Sequence, residues 1–469
     1  MKRHILFLGA IVSFIALFTA CSGGSSTKSG LSVDYMPFSK DEDGAIGMLD
    51  KDLKPLFAEE FNGEVSPVVD GVFWVTEDYD NYSLYKAGKK PTVIKGCEDL
   101  VGVGIMSEGI IPIVKKGSRI TYVDKNGKEK FTLKPYKGKE IVSVAPYFRG
   151  GKAWICVTEK KERIERNPWN GREYRHYHTE ALYGVINKDG KVIVEPIYDE
   201  VSIYEDFILA QKGSPYENEG EGYSTILLDN NGKKVKEFKN KRTSNDYFIA
   251  NKGQFMLVSK NSIHLYNKSG EELMKFFEDK EVPFIISGDY CVYHDRKKGK
   301  FGIKNFKDNK IIIRPKYERI CPVDENTFLV MRDEDDWKMI DKEDKEIKSF
   351  EGEYDENFGF FPLGFWMKAF GFNSDGWEDY IVAIERGSQG FIQIFNKKGE
   401  VISDGEYHFD AYDSFSEILG FDSSDLHSDY QDAVPATETA TEFASEEDYY
   451  GDDYPVMETA VETAIDPYY

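Results

Sequence analysis

A four-residue turn recurs along the chain and constrains its fold more than any other sequence feature. Asp or Asn opens the turn and Gly ends it at residues 124–127, 187–190, 229–232, 267–270 and 396–399. Degenerate copies end at Leu53, Gly88, Asn309 and Asp344. This pattern suits a type I turn closed by a residue in the left-handed region, where a Cβ would clash. Because apolar or aromatic runs flank the turns, each copy predicts a β-hairpin.

The spacing of the turns predicts a repeat architecture. The nine turns end at positions 53, 88, 127, 190, 232, 270, 309, 344 and 399. Most lie roughly 40 residues apart, a period typical of units that must stack to bury their apolar faces. The two longer gaps contain insertions near residues 157–180 and 352–380. An all-β body over residues 31–415 follows, favoured as a β-propeller of about 7–9 blades, with a linear β-hairpin array or solenoid as the alternative.

Two copies of the unit match closely and carry a resemblance to a known family. The first copy is residues 183–201 and the second begins at Phe301. They share an aromatic-Gly pair, a Pro six residues past the end of the turn and a Tyr eight past it: Tyr183-Gly184, Pro196 and Tyr198, and Phe301-Gly302, Pro315 and Tyr317. This pattern resembles the WG-repeat (KWG) proteins of bacteria. The resemblance implies a repetitive β scaffold that is usually assigned to binding, and it brings no catalytic residue.

The amino terminus predicts export. Lys2-Arg3 precedes an apolar run that ends in Thr19-Ala20-Cys21, as in a signal peptide over residues 1–20. The Ala-Cys ending resembles a bacterial lipobox, although Phe18 replaces the usual Leu, Val or Ile, and it implies a lipid on Cys21 followed by a flexible tether over residues 21–30. Ser22 resembles the pattern that leads to the outer membrane facing the periplasm. The alternative is an uncleaved membrane anchor, and both place the body outside the cytoplasm.

Charge is concentrated at the carboxyl end. The chain has a formal net charge of −23, and residues 416–469 contain fifteen Asp and Glu and no Lys or Arg. So much like charge with little apolar content predicts a disordered acidic tail, with a short helix formed on binding as the alternative. Nucleic acid is disfavoured as a partner because its binding depends on Lys and Arg.

Cysteine and histidine patterns give little support for a cofactor or a metal. Cys97, Cys156, Cys291 and Cys321 lie in strand-like runs, which favours buried free thiols over disulfides, although pairing stays open. His176 and His178 would share one face of a strand near Glu180, but nearby arginines oppose a cation. The Asp-Lys-Asn-Gly turns lack the twelfth-position Glu of an EF-hand. We expect no metal and no cofactor.

The second insertion holds the residues most readily connected with recognition. The candidate ligand-binding residues are Phe361, Phe365, Trp366, Phe370 and Trp377. If exposed, such aromatics stack on sugar rings or anchor a protein partner. The alternative is that this segment folds back and packs in the core.

No motif predicts catalysis: the sequence has no nucleophile elbow, phosphate-binding glycine loop or His-Glu-x-x-His helix. We therefore expect a non-catalytic binding or scaffolding module for an envelope protein or a glycan, held at the membrane through Cys21. The alternatives are a glycan-active hydrolase on a propeller and a structural spacer with an interacting acidic tail.

Overall fold

The computed structural model describes residues 31–40, 45–77, 80–166, 173–213, 222–243, 248–333, 336–352, 354, 360–369, 372–373, 376–384, 391–408 and 426–427. Cys21, the predicted signal peptide and the tether lie outside the described residues. The chain divides into Met1–Tyr430 and Gln431–Tyr469, and the second unit lies wholly outside the described part. Among the helices that are described, none has the length and apolar character needed to cross a membrane.

The recurrent turn adopts one hydrogen-bond pattern. In the turn at residues 124–127, the Asp124 Oδ1 accepts hydrogen bonds from the N–H groups of Asn126 at 2.9 Å and Lys128 at 3.2 Å. The Gly127 N–H donates to the Asp124 carbonyl oxygen at 2.8 Å. The same side-chain acceptor role is played by Asp50, Asn187, Asp229, Asn267, Asp341 and Asn396. The turn oxygens therefore organise the local backbone.

Eight of the nine predicted turn ends have the left-handed backbone that the sequence requires. Positive φ angles occur at Leu53, Gly127, Gly190, Gly232, Gly270, Asn309, Asp344 and Gly399. Gly88 departs from the pattern, since its φ lies outside this region. Its turn begins at Tyr85, whose side chain has no oxygen placed to accept from the next backbone N–H groups as Asp or Asn does.

The described strands form nine repeat units, and each predicted turn joins the last two main strands of one unit. Unit 1 contains β1 (Leu31–Phe38), β2 (Ile46–Leu49) and β3 (Pro55–Phe61); unit 2 contains β4 (Glu64–Val65), β5 (Val68–Val69), β6 (Val72–Thr76), β7 (Tyr82–Lys86) and β8 (Thr92–Val93); unit 3 contains β9 (Leu100–Val103), β10 (Ile111–Lys115), β11 (Thr121–Val123) and β12 (Glu129–Thr132). These strands, with one later strand added to β1, make a single 13-stranded sheet.

Units 4 to 6 follow as separate antiparallel sheets. Unit 4 contains β13 (Ile141–Val144), β14 (Lys152–Arg166), β15 (Glu173–Asn187) and β16 (Val192–Tyr198); unit 5 contains β17 (Glu200–Ile203), β18 (Phe207–Lys212), β19 (Ser224–Asp229) and β20 (Lys234–Lys239); unit 6 contains β22 (Gln254–Ser259), β23 (Ser262–Asn267) and β24 (Glu272–Phe277). The short strand β21 (Phe248–Ile249) precedes unit 6 but pairs in parallel with the first strand of unit 7.

Units 7 to 9 complete the series. Unit 7 contains β25 (Glu281–Ser287), β26 (Tyr290–Asp295), β27 (Lys300–Asn305) and β28 (Ile311–Tyr317); unit 8 contains β29 (Arg319–Pro322), β30 (Thr327–Met331), β31 (Trp337–Asp341) and β32 (Glu346–Ser349); unit 9 contains β33 (Phe360–Pro362), helix α1 (Leu363–Ala369), β34 (Phe372–Asn373), β35 (Tyr380–Ile384), β36 (Phe391–Asn396) and β37 (Val401–His408). Consecutive main strands pair antiparallel within each unit.

Buried clusters join each unit to the next and close the series into a ring. Separate clusters bridge units 3 and 4, 4 and 5, 5 and 6, and 6 and 7, and another spans units 7 to 9. One further cluster combines residues of units 1 to 3 with Leu363, Met367 and Trp377 of unit 9. A linear array would leave its first and last units apart. The predicted β-propeller is therefore confirmed over the described residues, and the linear alternative is excluded.

The ring closes where β34 pairs in parallel with the start of β1. The Trp377 Nε1 donates to the Val33 carbonyl oxygen at 2.9 Å, and the Tyr380 hydroxyl donates to the carbonyl oxygen of Lys51. We call this contact between units 9 and 1 the seam. It is the only described place where the beginning and the end of the β body meet.

Two further features extend from unit 4. Strands β14 and β15 are each 15 residues long and pair from Lys152–Asn187 out to Arg166–Glu173, so the insertion near residues 157–180 forms a long two-stranded arm. Of residues 416–469, the structure describes only β38 (Leu426–His427), which pairs antiparallel with β13. The remainder of the predicted acidic tail lies outside the described residues.

Candidate functional site

The aromatic-glycine motif is a packing device. A Cβ at Gly184 would lie 2.6 Å from both the Pro196 nitrogen and the Val194 carbonyl oxygen, so the two strands approach each other only because this residue is glycine. Beside it, Tyr183 pairs with Tyr198 across the same strands. Gly and Pro of the motif therefore form one contact, although twelve residues separate them in the sequence.

The second copy of the motif has the same geometry and adds a link to the next unit. A Cβ at Gly302 would lie 2.8 Å from the Ile313 carbonyl oxygen and 2.9 Å from the Pro315 nitrogen. The Tyr317 hydroxyl donates to Asp344 Oδ1 in the turn of unit 8 at 2.7 Å, and burial with this hydrogen bond raises the pKa of Tyr317. The motif residues thus help to build the scaffold.

A cavity of about 560 Å³ lies at the seam. Strand β1 contributes Ser32 to Tyr35, the first turn contributes Asp50 to Asp52, and Trp377 forms part of the wall. Leu56 of unit 1 and the small residues 71, 87 and 88 of unit 2 complete the lining. The cavity therefore lies among units 1 and 2, with Trp377 of unit 9 in its wall.

Acidic side chains dominate the chemistry of the seam cavity. Its lining includes three aspartates, Asp34, Asp50 and Asp52, and one lysine, Lys51. Burial, and then the negative charges of Asp52, Asp379 and Asp50, raise the pKa of the neighbouring Tyr380 hydroxyl. A cavity with this lining favours cationic groups and hydroxyl donors and repels phosphate and carboxylate.

Backbone N–H groups hold two of the carboxylates in place. Asp34 Oδ2 accepts a hydrogen bond from the Gly71 N–H at 3.1 Å. Asp50 Oδ1 accepts from Asp52 at 2.9 Å and from Lys54 at 2.8 Å. Asp52 is exposed, and its Oδ2 lies 3.8 Å from Lys54 Nζ. The lining is therefore ordered before a ligand arrives, which reduces the entropy that binding must overcome.

The predicted ligand-binding aromatics are placed differently from one another. Phe365 and Trp377 are buried, at 4% and 2% exposure, and belong to core clusters. Phe361 and Trp366 are half-buried and pack against each other with ring centroids 6.2 Å apart. Phe370 lies outside the described residues. The rings of Phe365 and Trp377 pack in the core, and Trp377 also lines the cavity, so the expectation that these aromatics bind a ligand stays a prediction.

The described part of the chain holds no group of three or more His, Cys, Asp or Glu side chains arranged for a metal ion. His176 and His178 lie on β15, and their side chains are outside the described part. Cys97, Cys156, Cys291 and Cys321 are all buried, and they form no disulfides with one another.

Sequence reasoning missed the carboxylates of the seam. Asp50 and Asp52 belong to a segment whose sequence predicts only a turn, and no motif surrounds Asp34. The first turn contains two acidic residues, Asp50 and Asp52. The turn geometry uses only the Asp50 carboxylate, so the Asp52 carboxylate is the one sequence sign of a role beyond the turn.

Comparisons with known proteins locate one family in the chain. Residues 183–216 match the model described as WG containing repeat. No curated protein matches the sequence.

Several solved structures are similar to this chain, but with low sequence identity and low TM-scores. A eukaryotic initiation factor is 9% identical, with 82% of this chain and 96% of that chain covered and a TM-score of 0.42. BamB from Moraxella catarrhalis is 10% identical, with 73% and 84% covered and a TM-score of 0.29. The WD40 β-propeller domain of Doa1 is 14% identical, with 64% and 93% covered and a TM-score of 0.25. The fold assignment depends on the strand pairing above, and the chain is a β-repeat protein that carries a WG repeat at residues 183–216.

Proposed function

We propose that this protein is an exported, lipid-anchored module of the bacterial cell envelope that binds or scaffolds a partner without catalysis at its recognition site. The partner is an envelope protein or a glycan, and the seam cavity is the site that receives it. Support for export comes from the signal-peptide pattern ending in Cys21. On this proposal the lipid on Cys21 holds the body at the outer membrane, facing the periplasm.

The observation that carries the binding proposal is the cavity at the seam. Its volume of about 560 Å³ is within the range of small-ligand sites. Ordered carboxylates accept hydrogen bonds from sugar hydroxyls or from the amine of a lysine or amino sugar. The same charges disfavour nucleic acid. No cofactor is needed for such recognition.

The binding proposal is tested with soluble protein that lacks residues 1–21. Binding to a glycan array and to envelope extract is compared between the wild type and the double variant Asp34→Asn, Asp52→Asn. Asp189→Asn is the matched control, because Asp189 is an exposed turn residue in unit 4. We expect the double variant to lose a ligand that the control retains. Equal binding by all three proteins would exclude the seam as the site.

The anchoring proposal has its own test. Cells expressing the full chain are labelled with radioactive palmitate and fractionated, and Cys21→Ala is compared with wild type. We expect the label in the membrane fraction of the wild type and no label on the variant. An unlabelled wild type would overturn lipid anchoring and leave the binding test unaffected.

A further inference from the structure

A buried polar cluster in unit 6 lies apart from the seam and is not used by the proposed binding function. Ser262 and His264 occupy β23 two residues apart and therefore point to the same face of the strand. The Ser262 Oγ lies 2.9 Å from His264 Nε2, and His264 Nδ1 lies 2.8 Å from Glu272 Oε2 on β24. Ser262 is 7% exposed and His264 is 5% exposed.

The acidic end of this cluster fixes where the imidazole carries its proton. A carboxylate accepts hydrogen bonds and cannot donate, so Glu272 keeps the proton of neutral His264 on Nδ1. The Nε2 lone pair then faces the Ser262 hydroxyl as an acceptor. This is the proton arrangement that a serine nucleophile requires from its base.

Further groups hold Glu272 in its ionised form. The Tyr266 hydroxyl donates to Glu272 Oε2 at 3.2 Å, and Lys241 Nζ donates to the Tyr266 oxygen at 2.6 Å. Burial acts to raise the pKa of Glu272, but the hydrogen bond and charge of His264, then Tyr266 and Lys241, lower it overall. An ionised Glu272 stabilises the imidazolium that forms when His264 takes a proton.

A second hydroxyl and an exposed turn complete the cluster. The Ser259 Oγ lies 2.8 Å from the Ser262 Oγ and donates to the Ser262 carbonyl oxygen at 3.2 Å. Ser259 and Ser262 flank the two-residue turn Lys260-Asn261, and both turn residues are exposed.

We propose that Ser262 is a nucleophile for acyl transfer from small esters, with His264 as its general base and Glu272 as the positioning residue. The Ser262 Oγ forms a bond to the ester carbonyl carbon as its proton moves to His264 Nε2. The bond from that carbon to the alcohol oxygen breaks, and the alcohol leaves with the proton from Nε2. Water then attacks the acyl-serine by the same proton route, releasing a carboxylic acid and restoring the Ser262 hydroxyl.

The test uses full-length protein, an alkyl fluorophosphonate probe and p-nitrophenyl acetate. Intact mass and peptide mapping are expected to show one label, on Ser262, in the folded wild type. Ser262→Ala is expected to abolish labelling, and His264→Asn to slow it by about 100-fold or more. Ser269→Ala, at an exposed position in the turn of the same unit, is the matched control and labels at the wild-type rate.

A pH profile separates catalysis from a structural role. Burial lowers the pKa of His264 below its ordinary value of 6.5, so the labelling rate is expected to fall only when the pH drops below that value. If His264→Asn does not fold, Glu272→Gln supplies the same comparison, because the Glu272 side chain is 43% exposed. An unlabelled Ser262 in folded wild type, or labelling by Glu272→Gln at the wild-type rate and pH profile, would overturn the proposal. Neither result depends on ligand binding at the seam.

Discussion

Two junctions of the ring hold neighbouring units together by different means. Between units 4 and 5, Lys152 is buried and its Nζ donates to the carbonyl oxygens of Gly150 at 2.8 Å and Glu205 at 2.9 Å, and to Asn230 Oδ1 at 2.8 Å. At the seam, Trp377 supplies one hydrogen bond and a large buried ring. The interior junction uses residues of the repeats themselves, whereas the seam uses an insertion outside the repeat pattern. Closing a ring therefore required sequence that the repeat does not encode.

The largest loss of stability is expected from a substitution at the seam. Trp377→Ala removes a side chain that is 2% exposed and its hydrogen bond to β1. We expect a loss of about 4 kcal/mol in the free energy of unfolding, as for other buried aromatics. Urea unfolding measures the change. Tyr177→Ala, at a position 70% exposed on the arm, is the control and is expected to change stability little. Equal losses in both variants would mean that the ring does not depend on the seam.

The interior junction is tested with Lys152→Met. The substitution keeps most of the apolar stem but leaves three oxygens without their donor, so we expect a loss of about 3 kcal/mol. Lys191→Met, on the exposed surface of the same unit, is the control. Thermal unfolding of both proteins checks the result, and a variant as stable as the control would show that water replaces the ammonium at no cost.

The packing inside unit 4 gives a smaller effect. Gly184→Ala places a Cβ 2.6 Å from backbone atoms, so the strands must separate, and we expect a loss of about 2 kcal/mol. Gly88→Ala is the matched control, because its nearest neighbour would be 3.9 Å away and its φ is not left-handed. If Gly184→Ala unfolds at the same urea concentration as the control, the motif glycine is not needed for strand approach.

The smallest effect is expected in the turn of unit 7. Asn309 has a φ of 57°, which strains any residue with a Cβ, and its side chain is exposed. Asn309→Gly should stabilise the protein by about 0.5 kcal/mol. Asp344→Gly relieves similar strain but removes the acceptor of the Tyr317 hydroxyl, so we expect a net loss. Thermal shifts of the same sign in both variants would contradict this account.

The sequence predicted the local structures, which depend on residues close together in the chain. Turns such as 124–127 and 187–190 carry their own geometry, because an Asp or Asn oxygen and a left-handed glycine lie within four residues. The number and order of the units followed from these turns. Gly88 is the exception, since the glycine stands there without the opening Asp or Asn.

Contacts between distant residues were not predictable in the same way. Trp377 and Val33 are 344 residues apart, and nothing in either segment indicates the other. Gly184 and Pro196 both belong to the sequence motif, yet their contact depends on how closely β15 and β16 approach each other. The serine, histidine and glutamate of unit 6 have no recognisable spacing, because strand pairing alone brings β24 beside β23.

The four buried cysteines, which form no disulfides with one another, have a consequence on the proposed export route. Burial raises the pKa of Cys97 and Cys321 and raises that of Cys291 to about 12, so in the folded protein the oxidisable thiolate is scarce. The unfolded chain has no such protection. On the proposed export route, propeller closure competes with incorrect disulfide formation in each newly translocated molecule. Propeller closure is slow because it needs β pairing across long sequence distances. Expression yield should therefore improve when the periplasm is kept reducing.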